Sequence, residues 1–358
     1  MFSGLKRYPE RGEKTLQAWD AADELILEHL SGIDHKGRKI LIVNDTFGAL
    51  SAALEDNGVS AYTDSYLSYK AIGLNTHGKI RIHTQLCDLE GPYDFVVMRV
   101  PKNMSFFEDI LCRLSRHLQP HTKLICGYMI KHQADASFEL LNRIIGQTTT
   151  SLARKKARLI FASYERTPTP SPYPLEVRIA TFAKPFTNHS NVFSREKLDI
   201  GTRYLLEHLP KGTYPRVLDL GCGNGIIGIA LQKLNPKSHL VFCDESQMAI
   251  ESAKANYASY FPALAAHAEF HWTHSFEGQA AESVDLVVCN PPFHQGNAIG
   301  DFTAREMFQD AHRCLAKGGL LRVIGNTHLP YPQMLKQIFG NAQRVASGPK
   351  FAITDSVK

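Results

Sequence analysis

The segment Val217–Gly228, with the sequence V-L-D-L-G-C-G-N-G-I-I-G, constrains the fold of this chain more than any other stretch. Apolar residues on both sides of Asp219 predict the end of a buried parallel strand, and the glycines after it predict a tight turn into a helix that begins near Ile226. Glycine permits positive φ and lets a ligand contact the backbone. Three turn positions have this property: Gly221, Gly223 and Gly225.

The glycine pattern alone leaves two classes of ligand open. Gly223, Gly225 and Gly228 also spell G-x-G-x-x-G, and Asp244 ends the next predicted strand, as in a dinucleotide-binding Rossmann unit. Asp219 favours a different ligand, because its carboxylate repels a pyrophosphate and attracts a cation that carries an amino group and a sulfonium. S-adenosylmethionine is such a cation. The alternative is a nicotinamide-dependent oxidoreductase.

A second motif lies in Val284–Phe293, which reads V-D-L-V-V-C-N-P-P-F. The apolar run predicts a buried strand that stops at the prolines, because proline cannot continue a sheet ladder. Ligands of open parallel sheets bind at such carboxyl ends. The order D-L-G-C-G-N-G, Asp244 and N-P-P-F resembles the class I amino-methyltransferases, which methylate exocyclic amines or amides. The resemblance implies four candidate catalytic residues: Asn290, Pro291, Pro292 and Phe293.

The front half of the chain repeats this layout in degenerate form. At 358 residues, two domains are expected. Asn44-Asp45, Asp64 and a D-F-V-V strand followed by Pro101 match Asp219, Asp244 and the D-L-V-V strand, whereas Phe47 and Leu50 are expected where backbone should meet the cofactor. We therefore predict an α/β fold with two tandem Rossmann-like methyltransferase domains, the first degenerate and the second with a seven-stranded, mostly parallel sheet. The predicted parts are a degenerate domain over 1–165, a proline-rich linker over 166–175 and a catalytic domain over 176–358.

Periodicity predicts several elements around these motifs. They are a helix over Leu16–Leu30, strands over Ser60–Asp64 and Asp94–Val100, a strand over Val177–Phe182, helices over Asp199–Leu209, Ser246–Phe261 and Phe302–Leu315, a strand over Leu320–Asn326 and a closing antiparallel pair within Arg344–Val357.

Composition excludes some classes of protein. The hydrophobic fraction is 44% and no apolar run has the roughly 18 residues of a membrane span. The first 30 residues carry charges without an apolar segment, so a cytoplasmic protein is expected. Seven cysteines without a C-x-x-C pair predict reduced thiols and no metal site. A net charge of +5 permits a polyanionic partner without requiring one. Neither a membrane nor a stable protein partner is predicted.

Longer segments narrow the resemblance. The stretches N-V-F-S-R-x-x-L-D-I-G-x-R, D-L-G-C-G-N-G-I-I-G and C-N-P-P-F-H-Q resemble the RsmC/RlmG family of bacterial ribosomal RNA guanine-N2 methyltransferases, and front-half stretches such as N-D-T-F-G-A-L-S are similar to the members that act on 23S rRNA. This implies that S-adenosylmethionine is the cofactor and that 23S rRNA or a large-subunit precursor is the partner. The alternatives are 16S rRNA, adenine N6 in DNA, a protein glutamine, or a non-catalytic RNA-binding assembly factor.

The resemblance also implies roles for single residues. Asp219 would face the methionine amino group and Asp244 the ribose hydroxyls, although Asp244 could instead cap the following helix. The rest of the cofactor site would comprise Gly221, Cys222, Gly223, Asn224, Gly225 and Asn290, with Thr273 or His274 beside the adenine. The Asn290 side-chain oxygen and the Pro291 carbonyl would accept the two N–H bonds of guanine N2, and Phe293 would stack on the base.

Other residues keep two interpretations. His294 could act as a base or only as a hydrogen-bonding wall, and the N-P-P-F segment could be an ordinary turn. Cys222 and Cys289 are expected to be small buried hydrophobes. The densest basic run is either a solvated face or an RNA contact of the front domain, and it consists of Arg154, Lys155, Lys156 and Arg158.

Overall fold

A computed structural model of the chain describes residues 2–10, 16–55, 58–132, 135–292 and 298–358. The chain folds as two compact units, Met1–Tyr173 and Pro174–Lys358, here called the front unit and the rear unit. The division falls inside the expected 166–175 segment. None of the helices in the described residues is both long and apolar enough to span a membrane.

The front unit contains five α-helices and seven strands within its described residues. The helices are α1 (Ala21–Ser31), α2 (Ala49–Ala53), α3 (Tyr66–Asn75), α4 (Met104–Leu114) and α5 (Ala136–Ile144). The strands are β1 (Ile40–Val43), β2 (Val59–Tyr62), β3 (Arg81–His83), β4 (Phe95–Arg99), β5 (Lys123–Met129), β6 (Thr148–Thr150) and β7 (Ala157–Ser163).

The rear unit contains five further α-helices and nine strands in the part of it that is described. The helices are α6 (Ile200–Leu206), α7 (Ile226–Leu234), α8 (Gln247–Tyr260), α9 (Ala298–Cys314) and α10 (Tyr331–Phe339). The strands are β8 (Leu175–Val177), β9 (Phe186–Asn188), β10 (Arg216–Leu220), β11 (His239–Asp244), β12 (Glu269–Trp272), β13 (Val284–Cys289), β14 (Leu315–Asn326), β15 (Gln343–Ser347) and β16 (Phe351–Val357).

Both units are built on one sheet topology. The front sheet has the order β3-β2-β1-β4-β5-β7-β6, and the rear sheet has the order β12-β11-β10-β13-β14-β16-β15. The first five strands of each are parallel, and β7 and β16 pair antiparallel with β5 and β14. This confirms the predicted fold class, and it places the switch point of the rear strand order between β10 and β13, where open α/β sheets bind ligands.

The core of the rear unit lies on both faces of its sheet, because the central strands are apolar on both sides. Val217 and Leu286 pack on one face with residues of α7 and α8. Leu218 and Val287 pack on the other face with residues of α9 and α10. On β10 and β13, polar side chains lie at or next to the strand ends, with the exception of the buried Asp219 inside β10.

Several predicted boundaries shift in the structure. The first helix begins at Ala21 rather than at Leu16, because Asp20 caps it with its side chain. The strand predicted over Val177–Phe182 is wrong: only β8, which ends at Val177, is a strand, and it pairs with β9 in a separate two-stranded sheet. Five strands have no equivalent among the predictions: β3, β5, β6, β7 and β9.

The proline-rich segment forms no helix or strand up to Tyr173, but it is not a free linker over that range. Ser171 donates to Asp109 of α4 at 2.6 Å, the Thr169 N–H donates to the Ser115 hydroxyl at 3.1 Å, and the Tyr173 hydroxyl donates to Glu108 at 3.2 Å. The segment is thus bound along α4 and belongs to the front unit.

Candidate active site at the carboxyl ends of the rear strands

The glycine turn between β10 and α7 has the predicted left-handed backbone. φ is +73° at Gly221, +54° at Gly223 and +80° at Gly225, which caps α7. A Cβ at Gly223 would meet no atom of a described residue within 4 Å, whereas one at Gly225 would lie 3.1 Å from Ala253. Gly223 therefore leaves room for a ligand, and Gly225 serves the packing of the turn against α8.

Gly228 serves packing rather than ligand contact. A Cβ there would lie 2.2 Å from the Phe242 ring and 3.1 Å from an Asp219 carboxylate oxygen. The first turn of α7 therefore approaches β10 and β11 more closely than a side chain allows. The third glycine of G-x-G-x-x-G has this packing role in Rossmann units also, so its presence does not select the dinucleotide.

Asp244 organises the turn from the neighbouring strand. One carboxylate oxygen accepts the Gly223 N–H at 2.9 Å, and the other accepts the Ser246 N–H at 2.9 Å. The side-chain cap of α8 is Ser246, which accepts the Ala249 N–H at 3.2 Å. Helix capping by Asp244, the alternative interpretation, is therefore wrong. Since a carboxylate has about four acceptor directions, Asp244 can hold the turn and also accept ribose hydroxyls.

Asp219 lies under the turn and is fully buried. Its Oδ2 accepts the Gly228 N–H at 2.8 Å, and its Oδ1 has no hydrogen-bond partner among the described residues. Burial raises the pKa of this carboxyl to about 8; the Gly228 N–H lowers it and the Asp244 charge raises it further. An unpaired buried acceptor of this kind is destabilising by about 1–3 kcal/mol, so it is a candidate partner for a ligand donor.

Two asparagines that the sequence did not single out, Asn188 and Asn256, hold the predicted site residue Asn224 in place. The Asn224 amide donates to Asn188 of β9 at 3.0 Å, and Asn224 Oδ1 accepts the Ile226 N–H at 3.2 Å. Asn256 of α8 donates to the Asn224 and Thr187 carbonyls, both at 3.0 Å. Asn188 and Asn256 are each 1% exposed. This buried polar network fixes the direction of the Asn224 side chain.

Asn290 follows β13 directly, opposite the glycine turn on the neighbouring strand. Its Nδ2 donates to the Thr202 hydroxyl of α6 at 3.0 Å, and its Oδ1 is buried without a hydrogen-bond partner in the described part of the chain. Pro291 is buried and Pro292 is exposed. Phe293 and His294, predicted to stack on the base and to line the site, lie outside the described residues.

Thr273 and His274, the two candidates for the adenine contact, have different surroundings. The Thr273 N–H donates to the Asp244 carbonyl at 3.0 Å, which places Thr273 beside the ribose candidate. His274 lies 3.2 Å from Glu306 of α9 and is 9% exposed. The free thiols of Cys222 and Cys289 are buried, with their pKa raised by burial, which confirms them as small buried residues.

Strand register assigns each site position a counterpart in the front unit. Thr63 corresponds to Asp244, which corrects the match of Asp244 with Asp64, and Arg99 corresponds to Asn290. The pairs that fix this register are Val43 with Tyr62 and Met98, and Leu220 with Cys243 and Cys289. The front unit therefore lacks both the ribose carboxylate and the amide.

In the front unit, the turn that corresponds to the glycine turn holds the side chain of Asp45. By the same register, Asn44-Asp45 corresponds to Gly221-Cys222 rather than to Asp219. Asp45 is 2% exposed and accepts the Gly48 and Ser51 N–H groups at 3.1 and 2.8 Å. Burial, and secondly the Asp23 charge, raise its pKa to about 6. Leu50 of α2 corresponds to Ile227 and lies in the hydrophobic core of the front unit. The prediction that it blocks the cofactor turn is therefore wrong.

Half of the basic run is paired with glutamates of α1. Arg154 forms an ion pair with Glu28, and Lys155 lies 2.7 Å from Glu24. No ion pair joins Lys156 or Arg158 to a carboxylate of a described residue. Exposed ion pairs contribute about 0–1 kcal/mol, so an RNA phosphate can compete with the glutamates for both cations.

Two family models match the chain. The methyltransferase small domain matches residues 183–355, and the RLMG N-terminal domain matches residues 2–166. A ribosomal RNA large subunit methyltransferase G from Pseudomonas paraeruginosa is 43% identical over 99% of this chain and 97% of its own length. The protein of the same name from Erwinia tasmaniensis is 41% identical over 99% and 96%.

A solved structure that is similar over both units gives a further comparison. It is the T. thermophilus 16S rRNA N2 methyltransferase RsmC, in complex with AdoMet and guanosine, with a TM-score of 0.79 and 21% identity over 95% of this chain and 92% of that one. At this identity the likeness shows the fold alone.

Proposed function

The chain belongs to the family of ribosomal RNA large subunit methyltransferase G, and from that premise we propose that it methylates the exocyclic N2 of one guanine in 23S rRNA with S-adenosylmethionine. The observation that carries the choice of an amino group is the Asn290 amide at the switch point of the rear sheet, with its oxygen buried and unpaired. Substrate and enzyme would meet in the cytoplasm, where bacterial ribosomes are made.

The residues of the rear turn fit this cofactor. Gly223 offers open space beside the backbone, and Asp244 offers carboxylate oxygens at the end of the second strand, where ribose hydroxyls can be accepted. The unpaired Asp219 Oδ1 fits an ammonium donor and does not fit a pyrophosphate. When bound, the cofactor would supply an electrophilic methyl group on a sulfonium.

The residues of the N-P-P-F segment act on the other reactant. A guanine N2 lone pair is delocalised into the ring, which makes the amine a poor nucleophile. The Asn290 oxygen and the Pro291 carbonyl would accept its two N–H bonds and localise the lone pair toward the methyl group. Positioning of the two reactants then supplies much of the rate, and the amine proton can leave to solvent after transfer.

The proposed activity is tested by mapping rRNA from cells that have or lack the protein. Digestion of both subunit rRNAs and mass spectrometry should show loss of one N2-methylguanosine from 23S rRNA only. Loss from 16S rRNA would show that the substrate is the small-subunit rRNA. If both rRNAs kept all their methylated guanines, the proposal would be refuted. Methylation of naked 23S rRNA and of large-subunit precursors in vitro then identifies the physiological form.

Cofactor binding is expected to release a proton from Asp219. With its pKa at about 8, this carboxyl is largely protonated at pH 7 in the cofactor-free protein, and pairing with the methionine ammonium favours the ionised form. Affinity should therefore rise with pH, by up to tenfold per unit, until the pH reaches about 8. Calorimetry in buffers of different ionisation enthalpy counts the released protons.

The control for this measurement is Asp219→Asn, which keeps the shape but cannot ionise. Protons that the ligand itself exchanges are the same in both proteins, so the difference between them belongs to Asp219. Equal proton counts for the two proteins would show that the carboxyl does not meet the ammonium.

We also propose that the front unit holds the RNA. Its cofactor turn is filled, and its basic run includes Lys156 and Arg158 without acidic partners in the described chain. A paired guanine cannot reach the ends of the rear strands, so the base must come from a loop or be flipped out, and backbone contacts must offset that cost.

Replacing Arg154, Lys155, Lys156 and Arg158 by serine is expected to weaken rRNA binding and to flatten its dependence on salt. Each phosphate that the variant no longer neutralises should reduce the log–log slope by roughly 0.7–0.9, while cofactor affinity stays unchanged. A charge-matched control replaces four exposed lysines elsewhere: Lys36, Lys211, Lys237 and Lys317. An equal change of slope in both variants would show that the effect depends only on net charge. An unchanged slope would show that the basic run is a solvated face that does not contact RNA.

A further inference from the structure

The amide of Asn290 is held in one orientation by two successive hydrogen bonds that begin at Asp199. Asp199 Oδ2 accepts the Thr202 N–H at 2.8 Å and the Thr202 hydroxyl at 3.3 Å. Because the hydroxyl proton points to Asp199, the Thr202 oxygen presents a lone pair to Asn290 Nδ2 at 3.0 Å. The amide nitrogen therefore faces α6, and the amide oxygen faces away from it.

This orientation matters because the two ends of an amide have nearly the same shape and opposite hydrogen-bonding character. A half-turn about the last side-chain bond would place the Asn290 NH₂ group where its oxygen now lies. A donor in that position repels the N–H groups of an amine. The Thr202 hydroxyl is the only described group that bonds to the Asn290 side chain, and Thr202 itself is 6% exposed.

In the front unit, the residues at the same three positions also contact one another, but their side chains are of different types. Asp20 caps α1 and Asp23 is its third residue, as Asp199 and Thr202 are for α6. Arg99, the counterpart of Asn290, lies 2.8 Å from Asp20 and 2.5 Å from Asp23. In both units, the residue that follows or ends the fourth strand in the sheet order, β4 or β13, thus contacts the first turn of a helix, α1 or α6. Among the described residues, only the rear unit, with the uncharged Thr202 and Asn290 at two of these positions, leaves an amide oxygen without a hydrogen-bond partner at this point.

We propose that Thr202 is a positioning residue for methyl transfer: its hydroxyl, oriented by Asp199, fixes the Asn290 amide so that the oxygen accepts the N–H bond of the target amine. The inference rests on the proposed function and adds a residue to it. Thr202 touches neither the base nor the cofactor in this scheme. Its removal should affect the rate of transfer and leave the binding of both ligands in place.

The test compares Thr202→Val, which keeps the shape and loses the hydroxyl, with Thr202→Ser, which keeps the hydroxyl. For Val, kcat on rRNA should fall about 10- to 100-fold, because misplaced catalytic groups have effects of that size. KM for rRNA and Kd for the cofactor should stay within about twofold, and the thermal midpoint within a few degrees. Ser should restore most of the rate. Thr202→Ala, which adds no methyl group, should repeat the Val pattern.

A double variant decides whether Thr202 acts through Asn290. In an Asn290→Ala background there is no amide left to orient, so adding Thr202→Val should lower kcat no further. If the two substitutions lowered kcat by factors that multiply in the double variant, the inference would be wrong. Full activity of Thr202→Val, or a loss of cofactor affinity in parallel with the loss of rate, would also overturn it. Wild-type protein that forms no N2-methylguanosine would refute the proposed function first, and this inference with it.

Discussion

Asn290→Ala is expected to lower kcat on rRNA by about 10²- to 10³-fold while the Kd for S-adenosylmethionine stays within a few-fold of wild type. The amide oxygen is buried and unpaired in the described structure, so its removal takes away an acceptor that only the reacting amine would use. Removing one such preorganised polar group from an active site typically has an effect of this size. Single-turnover methylation with saturating cofactor measures the chemical step.

Two measurements separate this result from simple unfolding. Asn290 also bonds to Thr202, so the thermal midpoint of the variant should be compared with that of Thr202→Val, which breaks the same bond from the other side. A loss of cofactor affinity in proportion to the loss of rate would place Asn290 in the cofactor site. Normal turnover would make N-P-P-F a structural turn, and the proposed chemistry would be wrong.

Gly228→Val is expected to destabilise the rear unit by about 3 kcal/mol or more. The first added carbon would already lie 2.2 Å from the Phe242 ring, which is fully buried and stacked on Phe270 with centroids 5.0 Å apart. Overpacking of a core is typically destabilising by about 1–3 kcal/mol, and a branched side chain adds to it. The better helix propensity of a residue other than glycine returns less than about 1 kcal/mol.

The stability of the rear unit can be measured separately by tryptophan fluorescence. It has two tryptophans, Trp19 in the front unit and Trp272 in the rear unit, so Trp19→Phe leaves fluorescence that reports the rear unit alone. In urea titrations, Phe242→Ala should relieve part of the Gly228→Val defect, since it removes the ring that collides. Additive losses in the double variant would mean that the helix and strand do not meet at this point.

The sequence predicted the parts of the site whose causes are local. Positive φ at Gly221, Gly223 and Gly225 follows from residues that tolerate it, and the end of β13 follows from prolines that have no N–H group. The repeated strand pattern likewise predicted the duplicated sheets. The glycine and proline signals are each contained within about ten residues, and the repeat is visible when the two halves of the sequence are compared, so all three can be identified without knowing the fold.

The parts that the sequence did not predict depend on contacts between distant segments. Asn188, Asn256 and Thr202 are single polar residues in ordinary strands and helices, and their roles appear only when β9, α8 and α6 come together at the glycine turn and at Asn290. The correspondence of Thr63 with Asp244 also required the strand register, because the loops of the two copies differ in length and composition. Helix periodicity carries no information of this kind.

The ion pairs of Arg99 bear on the evolutionary history of the chain. Restoring an asparagine at this position would leave Asp23, which is 5% exposed, without its cation, and removing one partner of a buried ion pair typically destabilises by about 3–5 kcal/mol. Thr63 and Asp45 would have to change as well before the front turn could accept a cofactor. A reversion at Arg99 alone is therefore expected to lower stability without restoring a cofactor site. Descendants of such a duplication are expected to diversify the front copy as a binding surface without regaining a second catalytic centre.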